Sequence, residues 1–307
     1  MRTMMIGLLM LVPHGLGLGA EPSPARSAAK RTGEAELQQA QVESYRQIGE
    51  VDLKMYIFQP SPPAPTARRA AIVFFFGGGW NSGSPAQFAP HAAHLAKRGM
   101  VAMVADYRVA SRHGVKAVAC VEDAKAAVAW IRSHADRLGI DPLRVAAAGG
   151  SAGGHLAAAT ATLAGYQEAS IPPALTIPNA LVLFNPALVL APVPSEPTIS
   201  RDRMADLAAR LGDEPIRLSP YHHVRSGQPP TIIFHGRADA TVPYRTAELF
   251  TEAMVRAGNR CELVGFEGKD HGFFNFQRDG NAGYQATLVA MDRFLGDLGY
   301  FPEPVSK

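Results

Sequence analysis

Residues 144–156 read Arg-Val-Ala-Ala-Ala-Gly-Gly-Ser-Ala-Gly-Gly-His-Leu. A Val- and Ala-rich run enters a Gly-Gly-Ser-Ala-Gly-Gly corner and leaves as an Ala-rich helix. Gly149, Ser151 and Gly153 fill the three fixed places of G-x-S-x-G, a spacing that sets a serine on a tight strand-to-helix turn. Small neighbours let the backbone fold sharply, which pushes the Ser151 hydroxyl out toward a reacting carbonyl. The turn also aims the Ala152 amide at the reaction centre, and the following helix adds its positive N-terminal end. An ordinary Gly-rich turn would satisfy so short a pattern. The chemistry therefore needs an oxyanion loop upstream, and an acid and a histidine downstream.

Upstream, Phe76-Gly77-Gly78-Gly79-Trp80 closes a long apolar run. Such a loop lets backbone amides converge on the oxygen that becomes negative during attack. Losing one donor of that kind costs about 3–4 kcal/mol of barrier. Gly78 and Gly79, with Ala152, are the expected donors. A phosphate-binding loop is the alternative, but no Lys-Ser/Thr follows and no G-x-G-x-x-G occurs there.

Downstream, Asp239 lies in His235-Gly236-Arg237-Ala238-Asp239-Ala240-Thr241-Val242-Pro243, and His271 in Gly268-Lys269-Asp270-His271-Gly272-Phe273-Phe274. Serine is a poor nucleophile unaided, and an imidazole titrating near neutrality is a suitable base for it. Asp239 could orient and charge-balance that imidazole, although aspartate in a turn is often only turn chemistry. Asp270 neighbours the histidine, but an exposed loop acid accounts for it equally well. His235 fits a supporting place beside the acid, and His155 fits packing or a helix hydrogen bond. His222 and His223 line a substrate mouth or face water. The apolar residues around Trp80 and Phe273–Phe274 suit an aromatic acyl group or plain core packing. Trp80, His223 and Phe273 are thus the candidate substrate contacts.

The elements that must position these residues follow a strand–helix rhythm. Tyr45–Phe58 reads as two strands about Gly49, with Val51, Leu53, Met55 and Ile57 alternating to one face. Ala70–Phe76, Met100–Tyr107, the run into Ser151, 180–184, Thr231–His235 and Cys261–Phe266 read as strands, the longest apolar runs buried on both faces. Helices are expected at 85–97, 115–138, after Ser151, at 244–257 and at 283–298. In the second, Val118, Val121, Val128 and Ile131 form one stripe. This alternation argues for a mostly parallel sheet flanked by helices, an α/β class, in one domain over 41–303. Pro-rich residues 187–228 break the rhythm and read as an insertion over the catalytic edge.

At 307 residues, with 47% hydrophobic and 19% charged, the chain has the makings of a sizeable core. A net charge of +3 with 30 scattered basic residues argues against nucleic acid as a partner. Cys120 and Cys261 are expected as buried small hydrophobes rather than a bridge, and no Cys/His cluster has metal spacing. Arg2 precedes an apolar stretch, Met4–Val12, and Gly- and Ala-rich residues up to Ala20. Residues 1–20 read as a secretory signal peptide, too short to span a bilayer, which predicts a secreted or periplasmic protein. A disordered tail, or a start at Met4 or Met5, is the other reading. Residues 21–40 are Pro-, Ala- and Ser-rich and read as a flexible lead-in.

With these pieces in place, the chain resembles the α/β-hydrolase superfamily from about Tyr45 to Tyr300. Within it, the sequence is similar to the esterase/lipase group related to hormone-sensitive lipase and to bacterial acetyl-xylan and feruloyl esterases. The matching segments are Phe76–Trp80, Asp106-Tyr107-Arg108, Glu122-Asp123, Gly149–Gly154, His235–Pro243 and Asp270–Phe274. The chain order Ser, Asp, His is the one that fold uses. The resemblance implies hydrolysis of short-chain carboxylic esters through an acyl-enzyme on Ser151, without metal or organic cofactor. It extends by analogy to acetyl or feruloyl groups on plant polysaccharide. Many relatives carry His where this chain has Phe76, which puts loop support and acyl-pocket shape in question, not activity. A serine peptidase or amidase on the same fold, or a catalytically silent binding module, would share the scaffold.

Overall fold

The structure is a computed structural model and describes residues 33–61, 68–194, 196 and 201–302. The expected leader over 1–20 and residues 21–32 of the lead-in lie outside the described residues. Further along the lead-in, Leu37 and Ala40 pack against the core.

Eight strands form one sheet: β1 (Gln41–Ile48), β2 (Val51–Phe58), β3 (Arg69–Phe75), β4 (Val101–Ala105), β5 (Ile140–Gly150), β6 (Ala180–Phe184), β7 (Thr231–Gly236) and β8 (Cys261–Phe266). Their spatial order is β1-β2-β4-β3-β5-β6-β7-β8. The β1–β2 and β2–β4 pairs are antiparallel, and every pair from β4 onward is parallel. The sheet is mostly parallel, as the apolar runs indicate.

Alternate residues of the central strands feed two separate cores, which is why those strands lack polar positions. Ala71, Val73 and Phe75 join Val145 and Ala147 on one face. Helices α2 (Ala117–Ser133), α3 (Ala152–Thr162) and α5 (Tyr244–Arg256) cover that face. Ile72 and Phe74 join Ala146, Ala148 and Phe184 on the other face, under α1 (Ala89–Lys97) and α6 (Ala282–Asp297). Helix α4 (Arg201–Leu211) belongs to the insertion, which runs between β6 and β7.

Helix α2 holds its whole apolar stripe but is shorter than the expected 115–138, breaking at His134. The His134 ring and backbone both contact the Trp130 carbonyl, and Ser133 Oγ donates to Ala129 O. Side chains that bond the backbone in this way compete with the helical ladder. Asp123, at the buried face of α2, accepts from Arg108 Nε at 2.9 Å and also pairs with Arg46, a structural network.

The path of the chain sets where a site can form. From β3 it steps to β4 on one side, then crosses back to β5 on the other. The carboxyl ends of β3 and β5 therefore flank a switch point, where parallel sheets open a crevice. Phe75 and Gly149 pair across that point, so the Gly77–Gly79 loop and Ser151 leave the sheet side by side.

Candidate active site

Ser151 connects β5 to α3 with φ 55° and ψ −120°, a conformation side-chain-bearing residues rarely adopt. The residues two positions either side must be glycine. A Cβ on Gly149 would lie 2.4 Å from the Gly153 carbonyl oxygen, and one on Gly153 would lie 2.1 Å from the Phe75 oxygen. The elbow is tied down by Ser151 N donating to Phe184 O at 2.9 Å, while Ser151 O accepts from His155 N and Ala187 N. Helix α3, which starts at Ala152, is buried on all sides, as its Ala-, Gly- and Thr-rich sequence requires. Its far end is capped by two cations, Lys125 donating to Leu163 O and Arg225 to Thr162 O. Burial, then the nearby Arg225, pulls the Lys125 amine down to about 8.

Asp239 and His271 stand on the loops after β7 and β8. The two loops are stitched together by Ala238 N donating to Lys269 O and Arg237 N to Phe266 O. His271 Nε2 lies 2.8 Å from Ser151 Oγ, and His271 Nδ1 lies 2.7 Å from Asp239 Oδ2. Asp239 is fully buried as a side chain yet amply served. Its Oδ1 accepts from Thr241 N and Val242 N, and its Oδ2 accepts from Asn185 Nδ2 at 2.6 Å. His235 Nε2 lies 3.3 Å from the same Oδ2. Burial alone would raise this carboxyl, but hydrogen bonds from His235, His271, Asn185 and Val242 hold it well below the usual range. An ionised Asp239 only accepts, so His271 carries its proton on Nδ1. Nε2 then presents a lone pair to the Ser151 hydroxyl.

The glycine loop lies against the elbow, with a Cβ on Gly77 falling 3.3 Å from Ser151 Cβ. Gly77 N donates to Gln87 Oε1 at 2.7 Å, whereas among the described residues none accepts from the amides of Gly78, Gly79 or Ala152. Those are the three expected donors. Gly78 and Gly79 have φ of 129° and 63°, and Gly78 O accepts from Asn81 N and Ser82 N to close the turn. Phe76 stacks on Tyr107 with centroids 4.0 Å apart. Tyr107 Oη donates to Phe76 O at 2.6 Å. Loop support here is an aromatic stack and one buried hydrogen bond.

Comparison with known proteins identifies the family. A family model described as alpha/beta hydrolase fold matches residues 72–275. The chain belongs to the α/β-hydrolase family. Butyrate-bound esterase 2 of Thermogutta terrifontis is 53% identical, with a TM-score of 0.81, over 88% of this chain and 98% of that one. Carboxylesterase NlhH of Mycobacterium tuberculosis is 28% identical over 90% of both chains. An acetylxylan esterase of Xylanibacter ruminicola is 29% identical over 78% of this chain and 46% of its own length. The chain spans about half the length of several curated relatives it matches.

Around this α/β-hydrolase centre, the expected substrate contacts separate. Trp80 lines a cavity of about 380 Å³ together with Gly79, Asn81, Lys116 and Arg210, although its indole N–H turns inward to His155. His223 bonds the Ile216 carbonyl within the insertion, and His222 bonds Ser219 Oγ. Phe273 is corrected outright. It is fully buried against Phe266 and Phe274 in the core under α6, so it forms no substrate wall. Asp270 is exposed and pairs with Arg278, away from the acid's role. Cys120 and Cys261 are both free thiols; Cys120 is buried and Cys261 half-buried, and burial raises each to about 12. Among the described residues no cluster of three or more His, Cys, Asp or Glu could hold a metal ion. No helix among them is long and apolar enough to cross a membrane.

Three supporting residues escaped the sequence reading. Gln87 bridges the glycine loop to the histidine loop, its Nε2 donating to Asn275 Oδ1 at 2.9 Å. Asn275 Nδ2 in turn donates to Gly272 O, one residue from the base. Asn185 adopts φ 43° at the carboxyl end of β6 to reach Asp239. An Asn-Pro pair directly after a buried strand was the available signal for it.

Proposed function

We propose that this α/β-hydrolase is a serine carboxylesterase that cleaves short-chain esters through an acyl-enzyme on Ser151. The observation that carries the reading is the pair of hydrogen bonds in series from Ser151 through His271 to Asp239. Ser151 Oγ attacks the acyl carbon as His271 Nε2 takes its proton. The carbonyl π pair moves onto oxygen, where the amides of Gly78, Gly79 and Ala152 receive it. Asp239 balances the imidazolium that forms and holds the ring in its productive tautomer. Collapse breaks the bond to the alkoxide, which leaves with the proton from His271. Water then repeats the sequence on the acyl-enzyme, with His271 again as base, and frees the carboxylic acid.

Short acyl groups are the favoured substrates, supported by the butyrate in the Thermogutta esterase and by the acetylxylan esterase among the relatives. Acetyl or feruloyl esters on plant polysaccharide are the proposed natural targets. Export by way of residues 1–20 would bring the enzyme to them, and cell fractionation with a tagged chain tests it. The catalytic reading is tested with p-nitrophenyl acetate, butyrate and octanoate on wild type, Ser151→Ala and His271→Ala, with a p-nitroanilide to detect amidase activity. Fast turnover of the short esters, lost in both variants, is the expected result. Folded wild type that turns over no ester and resists a fluorophosphonate label would overturn it in favour of a binding module.

A further inference from the structure

We propose that His155 is a positioning residue through which the 187–228 insertion holds the oxyanion loop in its working shape. This inference rests on the oxyanion role proposed above for Gly78 and Gly79. It concerns a histidine that touches neither the nucleophile's hydroxyl nor the base.

Trp80 directly follows Gly79 and has φ 58°, so Gly78, Gly79 and Trp80 are three successive residues at positive φ. Glycine tolerates this freely and tryptophan does not, so contacts must hold the backbone there; Trp80 O accepts from Ala110 N at 3.0 Å, and the side chain adds a second anchor. That second anchor is on α3. Trp80 Nε1 donates to His155 Nδ1 at 3.2 Å, and the two rings meet edge to face with centroids 5.2 Å apart. His155 Nε2 lies 2.8 Å from the Leu218 carbonyl oxygen. An indole N–H only donates and a carbonyl only accepts, so both partners force one state of the ring: neutral, with its proton on Nε2. Burial agrees, pushing the His155 imidazole down to about 4 although the Leu218 carbonyl pulls the other way.

The chain entering the insertion also meets the elbow directly. Ala187 N donates to Ser151 O at 3.2 Å, and a Cβ on Gly154 would strike Pro186 at 2.8 Å. Next to Leu218, Ser219 Oγ accepts from Leu190 N, and Tyr221 N donates to Leu188 O, fastening the two arms of the insertion together. The Leu218 carbonyl is therefore presented by a clamped loop to a ring on the nucleophile's own helix. That ring fixes the residue ending the oxyanion turn. By this route the insertion bears on transition-state stabilisation, with no need for it to touch substrate.

The test compares His155→Phe, which keeps the ring and removes both hydrogen bonds, with His155→Gln, which can accept from Trp80 and donate to Leu218. Displacing oxyanion donors without deleting them should lower kcat for p-nitrophenyl butyrate about tenfold to a hundredfold in His155→Phe, with KM within about twofold. Affinity for butylboronic acid, whose boron-bound oxygen mimics the oxyanion, should fall by a similar factor while inhibition by butyrate holds. His155→Gln should recover most of kcat. Should His155→Phe fail to fold, Trp80→Phe removes the donor while keeping an aromatic ring in place and should show the same split. A lowered Tm with unchanged kcat in whichever variant folds would overturn the proposal and leave His155 as packing. Loss of kcat and boronate affinity without recovery in His155→Gln would overturn the hydrogen-bond relay. Wild type inert toward every ester would instead sink the esterase reading itself.

Discussion

Replacing Asp239 with asparagine exchanges one oxygen for an NH2 group and inverts the logic of the site. The carbonyl oxygen of the new amide would stay on the Thr241 and Val242 amides, which both donate to Oδ1 at 2.8 Å. Its NH2 then falls where Oδ2 was, facing His271 Nδ1 at 2.7 Å and Asn185 Nδ2 at 2.6 Å, both of them donors. His271 can escape the clash only by moving its proton from Nδ1 to Nε2. That removes the lone pair which accepts the Ser151 proton across 2.8 Å. The variant therefore loses the charge that balances the imidazolium and also holds the base in the wrong tautomer. In a serine–histidine–aspartate constellation this costs about 10⁴ in kcat, or about 5.5 kcal/mol of barrier. The measurement is kcat and KM of Asp239→Asn on p-nitrophenyl butyrate at neutral pH, with circular dichroism to establish a native fold. KM should change little, because no substrate contact is removed. A folded variant retaining a tenth of wild-type kcat would refute the reasoning, and the orienting acid would have to be sought elsewhere, beginning with Asp270.

Ser151→Gly should abolish hydrolysis while raising Tm by about 2–4 °C, because glycine relieves a backbone strain of the order of 1 kcal/mol at φ 55°; calorimetry decides it. Gln87→Ala severs the bridge from Gly77 N to Asn275 and should lower kcat about tenfold with a smaller change in KM, read in the same ester assay. Asp239 also makes stability pH-dependent. Its folded pKa lies below the ordinary 3.8, so its contribution is complete above about pH 5 and drains away as pH falls toward the folded value. Wild-type Tm should therefore drop faster than that of Asp239→Asn between about pH 5 and 3, and parallel curves would contradict this linkage.

What could be read from the chain divides by how far apart the interacting residues lie. Ser151 was legible because its elbow is made by Gly149 and Gly153, two residues either side. The central strands were legible because burial on both faces leaves its mark residue by residue, as in Ala70–Phe75. Asp239 and His271 were legible one step removed, since each follows a recognisable strand and parallel strands deliver their carboxyl ends to one edge. Gln87 and Asn275 are 188 positions apart, and neither has a neighbour that betrays its partner. The same holds for His155, whose contacts come from Trp80 on one side and Leu218 on the other. Phe273 shows the converse error. Two residues beyond His271 the chain has already turned, so His271 faces Ser151 while Phe273 enters the core beneath α6. Proximity in sequence to a catalytic loop does not settle on which side of it a ring will lie. The proposed reacting groups are therefore written locally, because strands and elbows make them. The groups that hold those atoms in place come from pairs distant in sequence, which only the packed molecule brings together. Variants at Gln87 and His155 thus probe what the motifs leave out: how the oxyanion turn is kept in register with a nucleophile and base set on other strands.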